Sequence, residues 1–182
     1  MSKYRICGRD WEARGLTRVE RLALEKRGLS MMATNAENAA EVLDAVLAVL
    51  WPQGEAQEML DQADQADIDT LYQDIFSQTY PIEPGKGIKA VPKADWPAAL
   101  SPVRGLKRFE DKELRAERAK FRKGAETDGF ADIDALADAT LAVVYPSEKD
   151  QAILDSAPNA VCLSIFQEIQ ERSRGKGAAV KN

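Results

Sequence analysis

Apolar residues recur at the helical spacing i, i+3, i+4 along most of this 182-residue chain. Between residues 39 and 50 this spacing predicts a helix with one buried face. Trp51-Pro52 should end that helix, because proline disfavours helical geometry in the residue before it. A short helix over Glu55–Asp61 and a third over about Asp67–Gln78 complete a predicted three-helix unit.

The same pattern returns 94 positions later. Residues 40–78 align without a gap with residues 134–172, and 13 of the 39 positions are identical. Tyr145-Pro146 stands where the first segment has Trp51-Pro52. The sequence therefore predicts a second three-helix unit, related to the first by duplication or by convergence on one packing scheme.

The N-terminus follows another pattern. Residues 4–13 predict a β-hairpin that turns at Gly8-Arg9. Thr17-x-x-Glu20 is a capping-box pattern and predicts a helix to about Arg27. Thr34-x-x-Glu37 predicts a second capping box ahead of the helix over residues 39–50.

Five of the eight prolines fall between Pro81 and Pro102, so an extended connector is expected there. After it, Leu106–Lys123 is helical by propensity and rich in Lys and Arg. The predicted fold is mainly α, with a short N-terminal β-hairpin and two similar three-helix units joined by a Pro-rich connector and a basic helix. We divide the chain into residues 1–30 (hairpin plus helix), 31–80 (first unit), 81–105 (connector), 106–126 (basic helix), 127–173 (second unit) and 174–182 (disordered basic tail).

Charge alternates along the chain. Residues 28–85 contain 11 acidic residues and no Lys or Arg, whereas residues 86–123 contain 12 basic and 5 acidic residues. Segments of opposite sign can attract each other within the chain or between copies, although exposed pairs are individually weak. The net charge of -5 gives no reason to expect affinity for nucleic acid or anionic membrane. No apolar run is long enough to cross a bilayer and no secretory signal opens the chain, so we expect a cytoplasmic protein.

Candidate chemistry is sparse. The chain has no histidine, which removes the commonest general base and the commonest metal ligand. Its two cysteines, Cys7 and Cys162, form no C-x-x-C pattern. Residues 84–89 contain Gly-Lys but lack the spacing of a phosphate loop, and the aspartates of residues 61–69 lack the glycine of an EF-hand. We therefore predict a protein that is not an enzyme, with no catalytic, cofactor-binding or metal-binding residues.

The run from Tyr4 to Glu20 resembles the opening of the tail assembly chaperones of long-tailed bacteriophages: a short strand, a glycine turn, a second strand and Leu-Thr leading into a helix. Residues 59–76 and 151–169 resemble the helical body of that family. The resemblance implies a non-enzymatic helper that coats the helical tape measure protein and brings in tail tube subunits. In that case its partners are those two proteins.

Grooves that accept a helix are lined by anchor-binding side chains, and aromatic residues are enriched among binding hot spots. The basic helix could in turn dock on an acidic segment of the same protein or of a partner. The candidate partner-binding residues are Trp51, Tyr72, Phe76, Tyr145, Phe166, Arg115, Arg118 and Arg122. A virion structural protein of the neck or connector, and a nucleic-acid-binding regulator that uses residues 104–123, remain alternatives. A homo-oligomer is left open.

Overall fold

The computed structural model describes residues 2–83, 87–122 and 131–174, without the side chains of residues 117–122 and 131–132. Within those residues the chain is mainly helical and begins with an antiparallel β-hairpin, which confirms the predicted fold class. Of the predicted segments, residues 175–182 of the tail (174–182), 123–126 of the basic helix, 127–130 of the second unit and 84–86 of the connector lie outside this part of the chain.

Eight helices are present in the described residues. They are α1 (Arg18–Glu25), α2 (Ala39–Leu50), α3 (Gly54–Asp61), α4 (Gln65–Thr79), α5 (Arg108–Arg122), α6 (Ala131–Val144), α7 (Glu148–Ser156) and α8 (Asn159–Ser173). Helices α2–α4 form the first three-helix unit and α6–α8 the second, with their counterparts in the same order and of similar length. Helix α5 is the predicted basic helix.

The N-terminal hairpin pairs β1 (Ser2–Ile6) with β2 (Arg9–Ala13). Its turn is one residue earlier than the sequence pattern predicts, because Ile6 pairs directly with Arg9 and leaves Cys7 and Gly8 at the tip. Both tip residues have positive φ, 50° and 75°. Positive φ at both central residues is the geometry of a type I′ turn, whose twist matches that of the two strands.

The two predicted capping boxes have different outcomes. At α1, Thr17 accepts a hydrogen bond from the backbone of Glu20, whose carboxylate in turn accepts from the Thr17 N–H, so this box is confirmed. The box predicted at Thr34-x-x-Glu37 is wrong. Thr34 ends a 3-10 turn, where its hydroxyl donates to the Met31 carbonyl, and α2 begins only at Ala39.

The Pro-rich connector lies on the second unit. It contains a two-residue strand pair, β3 (Ile82–Glu83) with β4 (Gly87–Ile88), and is otherwise largely extended. The Val91 N–H donates to the Ser164 hydroxyl of α8 at 2.8 Å. Val91, Trp96, Leu100, Val103 and Leu106 pack against the core between α6, α7 and α8. The connector thereby shields one side of the second unit from solvent.

The internal repeat extends beyond the two units, to the segments that precede α1 and α5. Both segments read Arg-Gly-Leu-x-Arg-x-Glu, at residues 14–20 and 104–110. In the first, Arg14 donates to both carboxylate oxygens of Glu20 at 2.7 Å; in the second, Arg104 donates to both oxygens of Glu110 at 2.8 and 3.0 Å. Each arginine also donates to the carbonyl of the following glycine. Helix α5 is therefore the counterpart of α1.

Each of these segments is fixed to the end of the third helix of its own unit. The Leu16 N–H donates to the hydroxyl of Thr79 at the end of α4, and the Leu106 N–H donates to the hydroxyl of Ser173 at the end of α8. Thr79 and Ser173 are counterparts in the 94-residue alignment. The chain is thus two modules, residues 14–80 and 104–174, each made of a capped helix followed by three helices.

One of the two hydrophobic cores crosses from the first module to the second. Around Leu16, Leu24 and Val46 it gathers most of the buried side chains of the first module, with Trp11 of the hairpin. It also includes Ala137, Leu163 and Phe166 of the second module. The first module is therefore packed against α6 and α8, and this contact places the charged groups described next.

Candidate partner-binding surfaces

Arg18, the first residue of α1, is buried in the joint between the two modules. Its Nε donates to Asp138 Oδ1 at 2.7 Å, and its Nη1 donates to Asp155 Oδ1 at 2.6 Å and to Gln151 Oε1 at 3.1 Å. The Arg18 side chain is 7% exposed. One guanidinium thus joins α1 to both α6 and α7.

The backbone beside Arg18 reinforces this joint. The Arg18 N–H donates to the Ala157 carbonyl at 3.0 Å, and the Asn159 N–H donates to the Leu16 carbonyl at 2.9 Å. Thr17 and Pro158 form an antiparallel bridge between these two bonds. The start of α1 therefore pairs, strand-like, with the link between α7 and α8.

Arg21 lies one turn further along α1 and faces the same acidic group. It contacts Asp138, donates to Asn159 Oδ1 at 2.9 Å and lies 3.8 Å from Asp134 Oδ1. Burial raises the pKa of Asp134 to about 6, against the attraction of Arg21. Burial lowers the pKa of Arg21, but the carboxylates of Asp134 and Asp138 raise it by more, so this guanidinium stays charged.

The sequence analysis did not find this cluster. Alternating charge blocks indicated that oppositely charged segments attract, and the joint pairs the basic N-terminal segment with the acidic second unit. The partners lie more than 110 residues apart, however, and no local pattern marks Arg18 and Arg21 as buried. The missed signal is the recurrence of Arg-Gly-Leu-x-Arg-x-Glu, which marks α1 and α5 as equivalent.

A cleft of about 650 Å³ lies between α5, α6 and α8. Its lining residues are Leu106, Arg108, Asp111, Leu114, Arg115, Leu136, Thr140, Gln170, Ser173 and Arg174. Leu114 and Thr140 form its buried floor, while Arg108, Arg115 and Arg174 are exposed at its rim. The cleft therefore combines a floor of one apolar and one hydroxyl side chain with a rim that carries three arginines and Asp111.

The cleft is the counterpart of the joint in the first module. Residues of α5 are matched to α1 by aligning Arg104 with Arg14, and residues of the second unit to the first by the 94-residue offset. The lining residues then correspond, in the same order, to Leu16, Arg18, Arg21, Leu24, Glu25, Val42, Val46, Phe76, Thr79 and Tyr80. Those residues are buried or half-buried, and the apolar ones lie in the core that also includes Ala137, Leu163 and Phe166 of the second unit. We call this surface the front face of a module. Within the part of the chain that the structure describes, the front face of the first module is covered and that of the second is open.

The surface that receives the first front face is the rear face of the second unit, which presents Asp138, Gln151 and Asp155 to Arg18. Its counterparts on the first unit are Asp44, Gln57 and Asp61. Asp44 and Asp61 are exposed. Gln57 Oε1, the counterpart of the oxygen that accepts from Arg18, is buried within the first unit and has no hydrogen-bond partner among the described residues. In the described part of the chain, the rear face of the first unit is therefore uncovered at its two carboxylates, those of Asp44 and Asp61.

The three aromatic candidates of the first unit lie apart from each other. Trp51 is half-buried, with its ring edge-on to Trp11 of the hairpin at 5.3 Å between centroids. Phe76 is half-buried and packs against Tyr80 at 5.3 Å, at the joint between the modules. Tyr72 is half-buried and is the counterpart of Phe166; its hydroxyl is buried beside Thr34, and burial raises its pKa.

The two aromatic candidates of the second unit are core residues. Tyr145 is 1% exposed and packs in the core that the connector covers, and Phe166 is 8% exposed in the core that crosses between the modules. Neither offers a surface to a partner in this fold. The five aromatic candidates therefore do not form one groove.

The basic candidates lie on α5. Arg115 is exposed at the rim of the cleft and pairs with Asp111 at 2.9 Å. The side chains of Arg118 and Arg122 lie outside those that the structure describes. Arg108, the exposed counterpart of the buried Arg18, belongs to the predicted basic helix but is not among the candidate residues, because its equivalence to Arg18 appears only when α1 and α5 are aligned.

Two large apolar side chains are exposed among the described residues, Val19 at 49% and Phe109 at 58%. They occupy equivalent positions, one residue after Arg18 and Arg108 respectively. Each module thus presents one apolar side chain to solvent at the start of its first helix. The ammonium of Lys107 lies 5.9 Å from the Phe109 ring centroid.

Groups suited to metal or thiol chemistry are not brought together here. In the parts of the chain that the structure describes, no three Cys, Asp or Glu side chains are arranged to hold a metal ion, and no helix is long and apolar enough to span a membrane. Cys7 is exposed at the hairpin tip, and burial raises the pKa of the Cys162 thiol to about 12. A thiol with so high a pKa is almost wholly protonated at neutral pH.

The chain was also compared with known proteins. No family model matches the sequence, and no curated protein and no solved structure is significantly similar to it.

Proposed function

We propose that this chain is a non-enzymatic assembly chaperone of bacteriophage tail morphogenesis, which binds the tape measure protein and recruits tail tube subunits. The proposal starts from the resemblance of residues 4–20 to the opening of that family. The hairpin and the capped start of α1 are the elements that this resemblance leads one to expect. It assigns the protein no catalytic step and no cofactor.

The observation that carries the proposal is the equivalent exposure of Val19 and Phe109. A long amphipathic helix presents apolar anchors at regular intervals, and a protein that coats it needs apolar contacts that also recur. Two modules with one exposed apolar side chain each at the same position supply such a recurrence. The modules hold these side chains rigidly, because each follows a capped segment fixed to α4 or α8.

Co-expression with a tape measure protein from the same genome tests this proposal. We expect the tape measure protein to co-purify with the chain and to be more soluble in its presence. The variants Val19→Asp and Phe109→Asp should lose this effect without unfolding, because both side chains are exposed. Ala23→Asp and Glu113→Ala, at exposed positions one turn further along α1 and α5, serve as matched controls.

Two results would contradict the proposal. The first is a tape measure protein that neither co-purifies nor gains solubility when the chain is present. The second is stoichiometric detection of the chain in purified particles, which would favour the alternative of a virion structural protein of the neck or connector.

A further inference from the structure

We propose that copies of this chain associate head to tail, with the open front face of one copy docked on the uncovered rear face of the next. The front face is the cleft between α5, α6 and α8, and the rear face is the side of the first unit that carries Asp44, Gln57 and Asp61. The occupant of each face is thus a second copy of the same chain. This inference does not rest on the proposed function.

The joint inside the chain is the template for the joint between chains. There, Arg18 of one module reaches Asp138, Gln151 and Asp155 of the other. On the open faces, Arg108 has the place of Arg18, and Asp44, Gln57 and Asp61 have the places of its three acceptors. The same donor and the same three acceptors are therefore present once more in each chain, on opposite modules.

Unpartnered groups lie where this second joint would use them. Arg108, Asp44 and Asp61 are exposed, whereas Gln57 Oε1 is buried without a hydrogen-bond partner in the described residues, so its side chain would have to turn outward to accept from Arg108. Arg108 and Gln65 are the first residues of α5 and α4, so their N–H groups, counterparts of the two backbone donors in the internal joint, have no partner within their own helices. Side-chain and backbone groups thus indicate the same mode of docking.

The two open faces also differ from the covered ones in a complementary way. The cleft carries Arg115 and Arg174 where the covered front face has Glu25 and Tyr80, so it is the more basic of the two front faces. The rear face of the first unit carries Asp64 and Asp69 where the covered rear face has Pro158 and Leu163. Compared with its covered counterpart, the open front face therefore has more positive charge, and the open rear face has more negative charge.

The joint between chains should be the weaker of the two. Arg21, which binds Asp138 inside the chain, has Asp111 as its counterpart, and this aspartate already pairs with Arg115. Because more of the contact is between exposed charges, salt should weaken it. A contact between two different faces is heterologous, and repeating it gives a closed ring or an open helical filament rather than a symmetric dimer.

Sedimentation velocity of the full chain over a range of protein concentration and NaCl concentration is the first test. We expect the weight-average mass to rise with protein concentration and to fall as NaCl is added. The variants Arg108→Asp and Asp61→Arg should each remain monomeric, because each removes one of the two faces. A chain that stays monomeric at every protein and salt concentration would overturn the proposal.

Mixing the two variants gives the decisive result. Arg108→Asp keeps its rear face and Asp61→Arg keeps its front face, so the mixture should form a one-to-one pair and nothing larger. If the mixture stays monomeric while the wild type associates, the wild type uses other surfaces and the proposal fails. The proposal also fails if either variant alone associates as strongly as the wild type.

Matched control variants show whether association is lost because a face is altered or only because the charge of the protein changes. Glu58→Arg alters the same helix as Asp61→Arg, at a position whose counterpart, Ala152, is exposed in the second unit. Lys149→Asp reverses a charge in the first turn of α7, outside both faces, as Arg108→Asp does in the first turn of α5. Both controls should associate like the wild type, and failure of either to associate would contradict the assignment to these faces.

Discussion

Arg18 Nη1 and Asp155 Oδ1 lie 2.6 Å apart, although 136 residues separate them in the sequence. The same guanidinium binds Asp138 and Gln151, so three side chains of the second unit depend on one residue of the first module. Removing one partner from such a buried group leaves the others uncompensated.

Replacement of Arg18 should therefore destabilise the protein. We expect Arg18→Met to lower the free energy of unfolding by about 1–3 kcal/mol, because Gln151 and the carboxylates lose a buried donor, while Asp138 keeps Arg21 and Asp155 is 41% exposed. Urea unfolding followed by circular dichroism measures this change. Arg108→Met removes the exposed counterpart and should cost the monomer less than about 1 kcal/mol. Equal effects of the two substitutions would contradict the difference in their surroundings.

Asp134 should make stability depend on pH. Its pKa is about 6 in the folded protein against an ordinary value of 3.8, so the folded state holds this proton more tightly than the unfolded state does. The contribution of Asp134 to stability is therefore full below about pH 4 and is lost as the pH rises through 6. We expect Asp134→Asn to be more stable than the wild type by about 1–3 kcal/mol at pH 8, with the difference shrinking toward pH 4.

The contribution of Glu110 to stability should depend on pH in the opposite direction to that of Asp134. Arg104 donates two hydrogen bonds to it and holds its pKa below the ordinary value. Its contribution is present above the unfolded pKa and is lost as the pH falls through the folded value. Glu110→Gln should accordingly reduce the free energy of unfolding at pH 7, with a deficit that narrows in acid. Unfolding curves from pH 3 to 8 measure both trends, and parallel curves for the two variants would contradict them.

The sequence pattern predicts the two three-helix units because each buries a face with helical periodicity and ends its first helix at an aromatic-proline pair. It does not predict the full module. The units are related by an offset of 94 residues, but Arg14 and Arg104 are related by 90, so comparison at one fixed offset misses α1 and α5. The choice of candidate partner-binding residues failed for a similar reason. Tyr145 and Phe166 lie on the same periodic helix faces as the core residues, and no local sequence pattern distinguishes a buried aromatic side chain from an exposed one.

Gly15 is expected to tolerate no side chain. A Cβ atom there would lie 2.7 Å from the carbonyl carbon and oxygen of Gln78, which belong to the backbone of α4. Because backbone cannot swing aside, Gly15→Ala should cost about 1–3 kcal/mol. Gly54→Ala at the start of α3 is the control, since a Cβ there meets nothing within 4 Å. Thermal unfolding of both variants measures the contrast, and an unchanged Tm for Gly15→Ala would refute the close approach.

Trp11 and Trp51 should contribute an interaction energy of their own. Their rings meet edge to face, with centroids 5.3 Å apart and planes at 87°. Pairs in this arrangement contribute about 0.5–1.5 kcal/mol beyond the area that they bury. A double-mutant cycle with Trp11→Leu and Trp51→Leu measures that coupling. Strictly additive effects would show that the edge-to-face arrangement adds nothing to the burial of these two side chains.

The covered front face has a consequence for a chain that has been cut. The two modules are joined covalently through the segment around residues 83–87, yet Arg18, Arg21 and a shared core also hold them together. Severing that segment would leave two polypeptides with matching halves of one buried contact. If the two polypeptides are expressed separately, we expect them to bind each other and restore the folded protein.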